Sequence, residues 1–171
     1  HLPPMLDAAR RIAERERAAF TMILPNESLA ALARPLAQKI PDLRVQVGGL
    51  ARALRSATLA IASTGTVTME CAYFRVPTIA LYKTSWSTYQ IGKRIITVKY
   101  LAMPNLLARE EVFPEFVQDA ATGENLANTA LALLRSPEQR REIQGKLTRV
   151  IESLGSSGAN VRAAQAIWEL L

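Results

Sequence analysis

The sequence predicts a doubly wound α/β layer: a parallel sheet covered by helices on both faces. Three observations carry that expectation. Helical and strand patterns alternate along the first half of the chain. The strand segments are largely continuous apolar runs without polar alternation, as in strands buried on both faces. Turn formers punctuate the pattern, with Pro25-Asn26 after one run and Gly48-Gly49 after the next.

Taken in order, residues 4–17 read as an amphipathic helix with Met5, Leu6, Ala9, Ile12 and Ala13 on one face. A strand over 20–24 follows. The second helix is predicted over 28–40 with Ser28 as its N-cap, and Pro41-Asp42 turns the chain into a strand over 43–47. A short helical piece at 50–55 leads to a fully buried strand at 57–62, a helix at 66–74 and a strand at 78–82. Residues 86–100 read as a basic amphipathic helix, and 104–107 as a last short strand or an extended turn. Three helices, over 124–134, 137–154 and 160–171, complete the chain. Gly155-Ser156-Ser157-Gly158 detaches the final one.

The chain has 171 residues, 49% hydrophobic and 21% charged, so one compact domain is the default. Its longest apolar stretches fall well short of the roughly 20 residues of a membrane-spanning helix. The only cysteine, Cys71, has no internal disulfide partner and is expected to be a small packing residue. With the only histidine at His1, no Cys/His metal cluster is expected and no metal cofactor is predicted. A reducing, cytoplasmic setting follows. His1 has no evident partner that would make it a general base. No charged-then-apolar leader follows it, so the sequence predicts no signal peptide, and the start reads as a cut within a longer chain. The formal net charge of +6 favours polyanions, phosphorylated ligands or an anionic membrane surface, and equally fits a solvated basic coat.

The most informative stretch is Ser63-Thr64-Gly65-Thr66, between a strand and a helix. Such a turn gathers free backbone N–H groups, hydroxyls and the positive end of a helix dipole, which together suit an anion such as phosphate. It lies beyond the carboxyl end of a strand, where open α/β sheets bind ligands. It has neither the Gly-Lys-Ser/Thr of a Walker loop nor a Gly-x-Gly-x-x-Gly turn. Glu70 stands four residues past Thr66, on the same helix face, and five past Gly65, about 7.5 Å along the axis. A diphosphate at the helix mouth would set a ribose about that far away, and a carboxylate accepts hydrogen bonds from both hydroxyls of a cis-diol. The same residues also fit a plainer arrangement, in which Ser63 or Thr64 caps the helix and Glu70 is a surface acid.

With these residues in view, the sequence resembles the bacterial lipid-A-disaccharide synthases, glycosyltransferases of the two-domain GT-B type. The family pattern Ser-Gly-Thr-Ala-Thr-Leu-Glu appears as Thr64-Gly65-Thr66-Val67-Thr68-Met69-Glu70, followed by Val76-Pro77. A second block, Tyr100-Leu101-Ala102-Met103-Pro104-Asn105-Leu106-Leu107-Ala108, is followed at family spacing by Phe113-Pro114-Glu115-Phe116-Val117-Gln118. Weaker likeness runs from His1-Leu2-Pro3 to Ala163-Ala164-Gln165-Ala166.

The resemblance implies a Rossmann-like donor-binding domain over 1–158, the C-terminal half of a GT-B fold. The helix over 159–171 would cross to the other half. That other half would hold the acceptor site and the catalytic base. By position, Thr64, Gly65 and Thr66 are implied donor-diphosphate contacts and Glu70 the ribose carboxylate. Gly48 and Gly49 are implied to hold the uracil edge. Asn105, Glu115 and Gln118 are implied to line the donor cleft, although Asn105 after Pro104 also suits a turn. The implied reaction moves 2,3-diacylglucosamine from UDP to 2,3-diacylglucosamine 1-phosphate, with UDP-2,3-diacylglucosamine or UDP as this domain's ligand. This fragment alone would bind donor without turnover.

Acyl-chain substrates imply contact with the inner face of the cytoplasmic membrane. Trp86, Tyr89, Ile91 and Ile95 beside Lys93, Arg94 and Lys99 have the makings of an interfacial patch, or of an ordinary helix packed on the sheet. The last helix would dock locally or pair with another copy of the chain. Another GT-B transferase or epimerase acting on a different UDP-sugar, or a non-catalytic nucleotide-sugar-binding module, would share the helix-mouth features. No nucleic-acid-binding motif is present.

Overall fold

The computed structural model describes residues 1–85, 99–155 and 158–169. The element order is α1 (Leu2–Ala13), β1 (Phe20–Leu24), α2 (Glu27–Ala37), β2 (Leu43–Val47), α3 (Leu50–Ser56), β3 (Ala60–Ser63), α4 (Thr66–Tyr73) and β4 (Thr78–Tyr82). Then come α5 (Met103–Ala108), β5 (Glu115–Val117), a 3₁₀ turn (Gln118–Ala120), α6 (Gly123–Arg135), α7 (Pro137–Ser153) and α8 (Ala159–Trp168). Every pairing among the described strands is parallel. The described strands form a two-stranded sheet, β1-β2, and a three-stranded sheet, β3-β4-β5.

β4 shows why the layer is wound on both sides. Successive side chains of a strand point to opposite faces. Ile79 and Leu81 pack into one core with Ala8 and Ile12 of α1 and with Leu126, Ala127 and Ala130 of α6. Ala80, between them, packs into a second core with Leu54 of α3, Cys71 and Ala72 of α4, Phe113, and Leu147 of α7. Helices on both faces favour apolar residues in succession, so Ile79, Ala80 and Leu81 show no polar alternation, while the buried Thr78 hydroxyl donates to Val76 O at 2.8 Å.

Several expectations hold residue for residue: β1, β2 and β4 have the predicted bounds. Others shift. The N-cap of α2 is Asn26, not Ser28, because the Asn26 side chain accepts a hydrogen bond from Leu29 N at 3.0 Å. The strand expected at 57–62 runs from Ala60 to Ser63 and is mostly half-buried. Residues 104–107 form neither a strand nor an extended turn but most of helix α5, with Pro104 in its first turn, where the missing N–H costs nothing. The strand that pairs with β4 is instead β5, a three-residue segment absent from the sequence reading. Of the helix expected over 86–100, residues 86–98 lie outside the described residues. Among the described residues, no helix is long and apolar enough to cross a membrane.

α1 lies against α6, and Gly123, the first residue of α6, faces Asp7 of α1. A Cβ placed there would fall 2.5 Å from Asp7 Cβ and 2.6 Å from Asp7 Cγ. Asp7 itself is held by Arg10 and Arg11, each at 2.8 Å, so it cannot swing aside freely. Gly123→Ala is expected to destabilise the fold by about 1–3 kcal/mol through overpacking, read as a lower urea midpoint at unchanged slope. An unchanged midpoint would mean that the two helices part at no cost.

Candidate functional site

The turn after β3 is built as an open helix mouth. Thr64 N donates to Leu81 O at 2.9 Å and so extends the β3-β4 ladder by one residue. Gly65 then takes φ 139° and ψ −163°, a conformation that only glycine reaches without strain, and becomes the N-cap of α4. This corrects the capping arrangement allowed by the sequence. The cap position carries no side chain, and no side-chain hydrogen bond caps α4. Thr68 Oγ1 (2.6 Å) and Thr68 N (3.1 Å) both turn back onto Gly65 O, which winds the first turn. Among the described residues, no acceptor meets the N–H groups of Gly65, Thr66 or Val67. Three donors at the positive end of a helix dipole therefore face outward together.

Thr66 and Gly65 are exposed and Thr64 half-buried, and no side chain fills the space where a Gly65 Cβ would stand. Glu70, one turn along α4, is exposed and forms no salt bridge among the described residues. Its neighbour Cys71 is buried, and burial raises the thiol pKa, which suits packing and not nucleophilic chemistry.

Gly48 and Gly49 close β2, in the other sheet, at φ 69° and 73°. Gly48 N donates to Leu24 O at 3.0 Å, and the Gln46 side chain donates to Gly48 O at 2.8 Å. Gly49 is the N-cap of α3.

The remaining three candidates bind the protein's own backbone. Asn105 is fully buried. Its Nδ2 donates to Phe113 O and Glu115 Oε1, each at 2.7 Å, and its Oδ1 accepts from Val112 N at 2.9 Å and Phe113 N at 2.8 Å. The Glu115 carboxylate, on β5, also accepts from Leu101 N at 2.8 Å and Ala102 N at 2.9 Å. Gln118 Oε1 accepts from Thr84 N at 2.7 Å, and Gln118 Nε2 donates to Thr84 O at 3.1 Å. Asn105 and Glu115 thus tie residues 101–102 to residues 112–115, and Gln118 holds the loop that leaves the carboxyl end of β4.

His1 does have a partner, contrary to the sequence reading. Lys83 N donates to its Nε2 at 3.0 Å, and its ring lies 6.3 Å from that of Tyr82. Nothing in local sequence could reveal this contact, which joins residues 82 positions apart. Among the described residues, no cluster of three or more His, Cys, Asp or Glu side chains could hold a metal ion.

Parallel strands with helices packed on both faces, and a helix N-terminus open at the carboxyl end of a strand, define a class: Rossmann-like α/β domains. The particular family comes from comparison with known proteins. The family model described as lipid-A-disaccharide synthetase matches residues 1–170, and the chain belongs to that family. Lipid-A-disaccharide synthase of Solibacter usitatus (strain Ellin6076) is 37% identical over all of this chain and 45% of its own length. The enzymes of that name from Syntrophus aciditrophicus (strain SB) and Geobacter sulfurreducens (strain ATCC 51573 / DSM 12127 / PCA) are 34% and 33% identical. They are matched over 95% and 99% of this chain and 43% and 44% of their own lengths. The chain thus spans a little under half the length of these relatives.

Proposed function

We propose that this chain is the donor-binding domain of a GT-B glycosyltransferase that makes the lipid A disaccharide. The observation that carries the reading is the α4 mouth: three outward N–H groups, with the Thr66 hydroxyl beside them and Glu70 one turn away, in a chain of this family. A UDP-linked sugar would place its diphosphate at Gly65 and Thr66, with Thr64 alongside, and its ribose diol against Glu70. Gly48 and Gly49 offer backbone groups to the uracil. Asn105, Glu115 and Gln118 shape the donor site from behind, by holding the loops around it.

The reaction breaks the bond between the sugar anomeric carbon and the diphosphate oxygen and forms one to the acceptor hydroxyl oxygen. UDP leaves with the electron pair, and the hydroxyl proton passes to a base. The helix dipole and N–H groups favour the growing negative charge on the departing UDP, a task this reading gives to the protein itself and not to a metal ion. The base and acceptor site are assigned to the part of the relatives' length that this chain does not span, so this chain alone binds donor without turning it over. Acyl-chain substrates place the work at the inner face of the cytoplasmic membrane, with the protein peripheral to it. The helix at its end, α8, is exposed at every described residue and is available to cross to the other domain or to a second copy.

Calorimetric titration with UDP, UMP and inorganic phosphate tests the reading. UDP is expected to bind more tightly than either UMP or phosphate. Phosphate binding as tight as UDP would reduce the site to a bare anion hole, and a folded chain with no affinity for UDP would sink the donor assignment.

A further inference from the structure

We propose that the free edge of β2 is an interface between two copies of this chain, each β2 joining the other as an antiparallel neighbour centred on Val45. Among the described residues, β2 has one strand neighbour, β1. β1 is the inner strand of the two: its Phe20 packs against the core that holds Ile79 and Leu81, whereas no residue of β2 belongs to either core. β2 therefore ends the layer, and an edge strand offers its outward amides to another chain.

Which amides face outward follows from the ladder. Phe20 N donates to Asp42 O and Gly48 N donates to Leu24 O, so residues 42 and 48, and by alternation 44 and 46, turn their backbone groups towards β1. Leu43, Val45 and Val47 turn theirs away. The side chains of these three share one sheet face. Leu43 and Val45 line a shallow groove of about 210 Å³ with Arg34, Ala37 and Gln38 of α2, and Val47 is 39% exposed. Arg44 and Gln46 lie on the opposite face, both exposed.

A two-fold axis at Val45 uses all three outward residues. Val45 would exchange both backbone hydrogen bonds with the partner's Val45, and Leu43 would pair with the partner's Val47. On the other face Arg44 would meet the partner's Gln46. Gln46 Nε2 already donates to Gly48 O, which leaves its Oε1 as the acceptor for a guanidinium. An axis at Arg44 would instead set two guanidiniums opposite each other, and an axis at Gln46 would drop Leu43 from the ladder. The charge pattern is thus complementary to itself in one register, which selects a second copy as the occupant. Asp42 (φ 55°) and Gly48 (φ 69°) bend the chain at the two ends and keep the contact to the five residues of the strand. A contact so small makes a weak dimer, with a Kd on the order of 10–100 µM.

Sedimentation equilibrium of the 171-residue chain decides it, and wild type is expected to dimerise reversibly. Val45→Pro removes an N–H that faces outward, so it should abolish the dimer at an unchanged thermal midpoint. Gln46→Arg brings guanidiniums together and should weaken the dimer about tenfold, while Gln46→Glu should tighten it at low salt. Cross-linking reads the axis: Arg44→Cys and Gln46→Cys chains should form a disulfide far faster when mixed than either does with itself. Deleting residues 159–171, and α8 with them, should leave the dimer intact. A chain that stays monomeric at several hundred micromolar would overturn the proposal, as would a dimer that survives Val45→Pro or one that is lost with α8. If Val45→Pro melts early, the two Gln46 variants decide, and equal dimer affinities for them would overturn it. The donor reading is tested separately by UDP titration, so either can fail without the other.

Discussion

Asn105→Ala is expected to destabilise the fold by about 2–5 kcal/mol, because it leaves buried polar groups without partners. Val112 N and Phe113 N lose the oxygen they share, Phe113 O loses its donor, and Glu115 loses one of three N–H partners. Each buried N–H left unmet costs about 1–3 kcal/mol. The cavity left by the amide adds to this. Asn105→Asp should recover little: it keeps an acceptor for the two N–H groups but sets a second carboxylate against Glu115 Oε1, 2.7 Å from the present Nδ2. Urea denaturation measures both variants. A wild-type midpoint for Asn105→Ala would show that the network adds nothing and that Asn105 acts elsewhere.

Glu70→Ala is expected to weaken UDP binding on the order of 30- to 100-fold and to leave inorganic phosphate binding within about threefold. The asymmetry follows from geometry. Phosphate would use the N–H groups at Gly65, Thr66 and Val67, which the substitution leaves in place, whereas the ribose diol would lose charge-assisted hydrogen bonds. The side chain is exposed and forms no salt bridge among the described residues, so the fold itself should be little affected. A double cycle sharpens the test. Removing the 2′-hydroxyl of UDP should cost the wild-type chain more than it costs Glu70→Ala. Equal losses for UDP and phosphate would remove the ribose role.

What the sequence revealed and what it concealed follow from how local each signal is. β1, β2 and β4 were legible because short strand-forming runs are bounded by Pro or Gly, and the two-sided burial of β4 leaves Ile79, Ala80 and Leu81 as a continuous apolar run. The glycine turn before α4 was legible for the same reason. α5 was misread because Pro104-Asn105 carries a turn signature. The proline sits where helices accept it, and the asparagine serves residues 112–115 instead of its own turn. β5 escaped because three residues led by a glutamate show no periodicity. The grips on Lys83 and Thr84 had no local signal at all: His1 lies 82 positions from its partner and Gln118 lies 34 from its own.

β4 joins these features mechanically. Of its five residues the first four are buried, gripped by helices on both faces and by a strand on each edge. Lys83 and Thr84 are a short overhang from it. An overhang that short is clamped at its root by packing and at its tip by Gln118. Thr64 N, bonded to Leu81 O, ties the α4 mouth to the same strand, so little conformational entropy would be lost by an anion settling at that mouth.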